Sequence, residues 1–164
     1  MPAVRLSIVL LVGMSALVSN TALADDGVGV GETPRSAALG FVAMDDLTGQ
    51  LNYVADPNGQ DAGFIAHCDG YTSFKSTTSG DGFPRIVVTA TCLDQDGQTV
   101  YLKAQFTDRG EPGVNDSVCI LWSTQPRPPH ATAFIHDHGK IQSGNIVIHE
   151  DPLLGLTVEI LSTE

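Results

Sequence analysis

Two stretches of this chain carry residue types at spacings that could do chemistry. The first is Thr107-Asp108-Arg109-Gly110-Glu111-Pro112-Gly113-Val114-Asn115-Asp116. There Asp108, Glu111, Asn115 and Asp116 place hard oxygen donors within nine residues. Calcium takes six to eight oxygens, some of them backbone carbonyls, from a bent loop. Gly110 and Pro112-Gly113 supply the bend, so Asp108, Glu111 and Asp116 form a candidate calcium set. The spacing lacks the EF-hand order. A plain turn accounts for the same residues: Pro-Gly suits a type II turn, and Asp side chains cap their own backbone. Asp56-Pro57-Asn58-Gly59-Gln60-Asp61 and Asp94-Gln95-Asp96-Gly97 repeat the question more faintly.

The second stretch is His136-Asp137-His138. On a strand the two imidazoles share a face, about 7 Å apart by strand rise. That is the candidate transition-metal set, and His130, His149 or His67 would complete it, since three ligands plus water make the usual open site. The alternative is a pair of exposed histidines at a strand end, with His149 a structural hydrogen-bonding residue.

Signals for catalysis are sparse. The chain has no G-x-S-x-G, H-E-x-x-H or P-loop pattern. His149-Glu150-Asp151 starts like a zincin motif, but Pro152 breaks the helix such a motif needs. Gly27-Val28-Gly29-Val30-Gly31 imitates a nucleotide loop without a strand before it or a helix after it. No catalytic residue is assigned, the expectation leans away from an enzyme, and a small secreted hydrolase stays as a third alternative. Trp122, Tyr53, Tyr71 and Tyr101 could line a binding face, although a lone Trp on such a strand also suits a core.

These residues need a scaffold and a compartment. Arg5, the apolar run Leu6–Val18 and Ala22-Leu23-Ala24 follow the order of a secretory signal peptide, predicting cleavage near Ala24 and a secreted or periplasmic product. The run is too short for a membrane span of roughly 20 residues. About 140 residues remain, enough for one core. All 19 acidic residues lie in that part, giving a net charge of about −12 once Arg5 is removed. Nucleic acid and membrane insertion are therefore not expected, and the partner is an unknown macromolecular or surface ligand.

Three cysteines cannot all pair within one chain. If Val118, Ile120 and Trp122 face inward, Cys119 faces out. The expectation is a Cys68–Cys92 bridge with Cys119 free, against the alternative of no bridge.

The elements that must position these groups read as strands. Val100, Leu102, Ala104 and Phe106 alternate with polar neighbours, the period of a half-buried strand. The run Ile86–Leu93 precedes it, and Gly97 allows the hairpin between them. Further strands are expected at Leu39–Met44, Gly49–Ala55, Gly63–Cys68, Ser117–Trp122, Ala131–His136, Asn145–His149 and Leu156–Leu161. Residues 125–129, Gln-Pro-Arg-Pro-Pro, read as a loop. The sum is an all-β, antiparallel β-sandwich over residues 37–164, immunoglobulin-like or jelly-roll-like, after a Gly-rich and partly mobile segment at 25–36.

The Asp108–Asp116 loop, D-x-G-E-P-G-x-x-D, resembles that of a small β-domain of secreted bacterial proteins, which closes on a G-G-N-I-x-I-H strand. Here that strand reads Ser143-Gly144-Asn145-Ile146-Val147-Ile148-His149, with Ser143 where Gly is usual. Gly40-Phe41-Val42-Ala43 and Gly49-Gln50-Leu51-Asn52-Tyr53 resemble its opening, so the likeness runs over residues 27–149. It implies a β-sandwich in a secreted or surface context and no particular activity. The expected function is an exported binding or structural module of the cell envelope or extracellular space. It needs no certain cofactor, and calcium is the cation its oxygen donors would suit. Transition-metal binding at His136/His138 is the alternative.

Overall fold

A computed structural model of the chain describes residues 26–59, 61–110, 113–126 and 133–149. The expected signal peptide, Glu111, His130 and the strand expected at Leu156–Leu161 lie outside these. The described residues form ten strands: β1 (Asp26–Glu32), β2 (Ala38–Met44), β3 (Gly49–Val54), β4 (Ile65–Asp69), β5 (Ser73–Thr78), β6 (Pro84–Asp94), β7 (Thr99–Thr107), β8 (Ser117–Ser123), β9 (Ile135–Lys140) and β10 (Ser143–His149). The only helical element among the described residues is a 3₁₀ turn at Gly113–Asn115.

Alternation builds these strands. In β7 the side chains of Val100, Leu102, Ala104 and Phe106 are buried and those between them are half exposed. In β6, Ile86, Val88, Ala90 and Cys92 do the same. Between β6 and β7 the turn is as read: Gly97 has φ +74°, and Asp94 Oδ1 accepts the N–H groups of Asp96 and Gln98.

Every ladder is antiparallel, in the order β10-β1-β2-β3-β4-β6-β7-β8-β9. β6 is long enough for two partners on one edge. It meets β4 at Leu93–Asp94 and β5 along Pro84–Thr89. The fold is thus all-β and antiparallel, as expected. The ladder is one continuous sheet, however, with no division in its hydrogen bonding between two sheets. The sheet curls until β2 faces β7, where Phe41 and Phe106 stack with ring centroids 3.8 Å apart. Trp122 is fully buried beside Tyr53 and Phe64, at 5.8 and 5.4 Å. Burying each such ring stabilises the fold by roughly 1.5–3 kcal/mol.

The Gly-rich start is the main correction to the sequence reading. Residues 26–32 form a central strand between β10 and β2. The glycines that removed any apolar pattern are there for space: a Cβ on Gly27 would overlap Ile86, and one on Gly29 would overlap Phe41. β5 was also unforeseen, because Ser73-Phe74-Lys75-Ser76-Thr77-Thr78 lacks an apolar face. The strand expected at Ala131–His136 runs instead from Ile135 to Lys140.

The Cys68–Cys92 bridge forms as expected, with Cα atoms 4.3 Å apart, and Cys119 is a free, half-buried thiol. The bridge continues the β4–β6 register just past His67–Leu93. Closing a loop of this length contributes about 3 kcal/mol.

Candidate functional site

The Asp108–Asp116 loop and the Ser143–His149 strand, the two motifs of the resemblance, meet each other. β10 pairs with β1 along one edge, which leaves N–H groups on its other edge without a strand partner. The Asp108–Asp116 loop lies against that edge. Asp116 Oδ2 accepts the Ile146 N–H at 2.8 Å, and Asp108 Oδ2 accepts the Ile148 N–H at 3.1 Å. The remaining oxygens fold the loop itself: Asp116 Oδ1 accepts Arg109 N–H, and Asp108 Oδ1 accepts Gly110 N–H. Gly113 packs so closely on Gly144-Asn145 that a Cβ there would overlap Asn145. The acid-rich spacing therefore serves as a side-chain substitute for a missing strand.

A third carboxylate ties β9 to the β1–β2 turn and to β3. Asp137 on β9 is fully buried. It accepts the Arg35 backbone N–H at 3.1 Å and the Tyr53 hydroxyl at 3.1 Å. Burial, with the Asp137 charge alongside, pushes the Tyr53 hydroxyl well above the usual tyrosine range. The Arg35 guanidinium in turn holds Asp61 by two bonds of 2.5 and 2.8 Å. Asp56 and Asp94 make ordinary turn bonds to their own loops.

The histidines separate into three places. His136 and His138 share the outward face of β9, their rings stacked with centroids 4.5 Å apart. Cys119, opposite His138 on β8, brings its Sγ to 3.8 Å from His136 Nε2. His67 bridges Asn52 and Asp69 on the outside of β3 and β4, and His149 bonds Asp26 across β10 and β1. Among the described residues no three His, Cys, Asp or Glu donors converge as a metal site.

The outward face of β5 to β9 carries a groove that combines polar groups with room for a ligand. It holds about 550 Å³ and is lined by Thr72, Ser73, Thr89, Thr91, Tyr101 and Lys103, with Pro126 at its rim. Its hydroxyls are linked: Thr89 Oγ1 lies 2.8 Å from Thr72 Oγ1 and 2.7 Å from Ser73 Oγ. Of the aromatic residues considered for a binding face, Trp122, Tyr53 and Tyr71 are in the core. Only Tyr101 lines the groove. Sequence reasoning missed this site because a Ser/Thr-rich strand carries no motif; the outward Thr89 and Thr91 of β6 were its only trace. Cys119, further along the same face, has its thiol pushed up by burial, while Lys103 and Arg85 pull it back down.

Compared with family models, with curated proteins and with solved structures, the chain matches none.

Proposed function

We propose that this chain is an exported, non-catalytic binding module that recognises its ligand on the outward face of β5 to β9. The observation that carries this reading is the hydroxyl-lined groove over β6 and β7. Linked hydroxyls, an aromatic ring and one ammonium suit a polar, multiply hydroxylated ligand held by hydrogen bonds and ring contact. Export is supported by the leader-like residues 1–24 and by a disulfide, which persists in oxidising compartments. The curling of the sheet, which stacks Phe41 on Phe106, supports reading its two limbs as the two layers of a sandwich.

Amide-shift mapping of the mature protein against a panel of oligosaccharides tests the reading. Shifts confined to the groove, with at least fivefold weaker binding in Tyr101→Ala, are expected. Ligand consumed during the titration, or shifts on β1–β4 alone, would overturn it.

Transition-metal binding is the second reading, favoured by the rings of His136 and His138 lying side by side on the outward face of β9. It predicts one zinc or copper ion per chain, lost in the His136→Ala/His138→Ala variant.

A further inference from the structure

We propose that the ligand of this face is an acidic polysaccharide, a glycan carrying carboxylate or sulfate groups. The inference rests on the binding-module reading above and adds the charge of the ligand.

The argument begins with where the cations go. Among the described residues there are six Lys and Arg. Arg35 and Arg109 are held by carboxylates, those of Asp61 and Asp81. The other four, Lys75, Arg85, Lys103 and Lys140, have no carboxylate partner among the described residues. The ladder registers put all four on one surface. Arg85 lies in a row with Thr107, Ser117 and Lys140, and Lys75 in a row with Val87, Gln105 and Cys119. Lys103 is one row further, beside the groove. None of the thirteen Asp and Glu of the described residues occupies an outward position on β5 to β9. Burial raises the Cys119 thiol, and Lys103 and Arg85 oppose that rise, in keeping with their place on the same face.

In a chain of this acidity such a segregation points to an anionic ligand. The charges elsewhere repel a polyanion only within about 8 Å at physiological ionic strength, so the local face decides. Strand geometry spaces neighbouring cations by roughly 8–14 Å, with Lys75 and Lys140 about 20 Å apart. That spacing suits charges repeated along a sugar chain better than one compact phosphate. The hydroxyl-lined groove beside them suits the sugar hydroxyls, whereas an acidic protein partner would be held chiefly by apolar and aromatic anchors.

The test is calorimetric titration of the mature protein with heparin, polygalacturonate, neutral dextran and poly-glutamate. Binding to heparin or polygalacturonate is expected, weakening at least tenfold between 50 and 300 mM salt, on the order set by screening. The Lys75→Glu/Lys103→Glu variant should lose at least tenfold more, while Lys103→Gln, a milder outward change, loses less. Equal binding to dextran, insensitive to salt, would overturn the acidic ligand and leave the binding module standing. Tighter binding to poly-glutamate would overturn the glycan class. Binding to none of the four would overturn both readings.

Discussion

Asp116 and Ile146 are joined by a 2.8 Å hydrogen bond from a backbone amide to a buried carboxylate, across a gap that no strand fills. Asp116→Ala should leave the N–H groups of Ile146 and Arg109 without this acceptor. An unsatisfied buried donor costs about 1–3 kcal/mol, so a loss of about 3 kcal/mol in urea unfolding is expected. Asp108→Ala should cost less, since its loop is more open to water. Because both carboxylates already accept backbone amides, chelator should leave the wild-type Tm unchanged. A Tm that falls with chelator and recovers with calcium would make the loop an ion site.

Gly29 sits where a side chain would enter the Phe41 ring. Gly29→Val should overpack the core and destabilise by about 1–3 kcal/mol. Gly144 has φ +104°, and a Cβ there would overlap Val30 O, so Gly144→Ala should also open the β1–β10 ladder. Both should leave far-UV circular dichroism near native while the unfolding midpoint falls. Unchanged midpoints would mean that β1 is not held as described.

Burial pushes the Tyr53 and Tyr71 hydroxyls above the tyrosine range, and Asp137 raises Tyr53 further. Unfolded, both ionise near pH 10. Their folded pKa values are raised, so their contribution to stability is complete below pH ~10 and lost as pH climbs above it. Alkaline unfolding starting above pH ~10 is expected, with tyrosinate absorbance appearing together with loss of structure. Tyrosine ionisation at these two sites ahead of unfolding would contradict the burial.

The Cys119 thiol lies above the ordinary cysteine range because burial disfavours its thiolate. At pH 8 a raised pKa means less thiolate, so alkylation should run slower than for a free cysteine peptide. Lys103→Gln or Arg85→Gln should slow it again, because each cation favours the charged form. A rate equal to that of the free peptide, untouched by either change, would count against the cationic face.

How much of this was legible in the sequence depends on which residues carried a pattern. Alternation gave β6 and β7 nearly to the residue, and the outward direction of Cys119 followed from its apolar neighbours. β1 was invisible because its inward positions are glycine. A strand that makes room for Phe41 looks like a linker when only side chains are counted. The loop from Asp108 was legible as a cluster of oxygen donors, and its bonds to the β10 amides were not. The oxygens that suggest an ion also suit backbone amides, and only the neighbouring edge of β10 decides which they meet. The groove had no local signal, because its hydroxyls come from separate strands and converge only through the ladder.

The place of β1 between β2 and β10 has a consequence for how the chain comes into being. Its second neighbour spans residues 143–149, more than a hundred positions away. A chain delivered N-terminus first, from a ribosome or through a membrane pore, holds its leading strand half paired until nearly all the described residues have emerged. Such distant pairing slows folding. The last of the described strands to arrive is the one that closes the pairing of the first, so the order of the sheet delays folding until residues 143–149 are delivered.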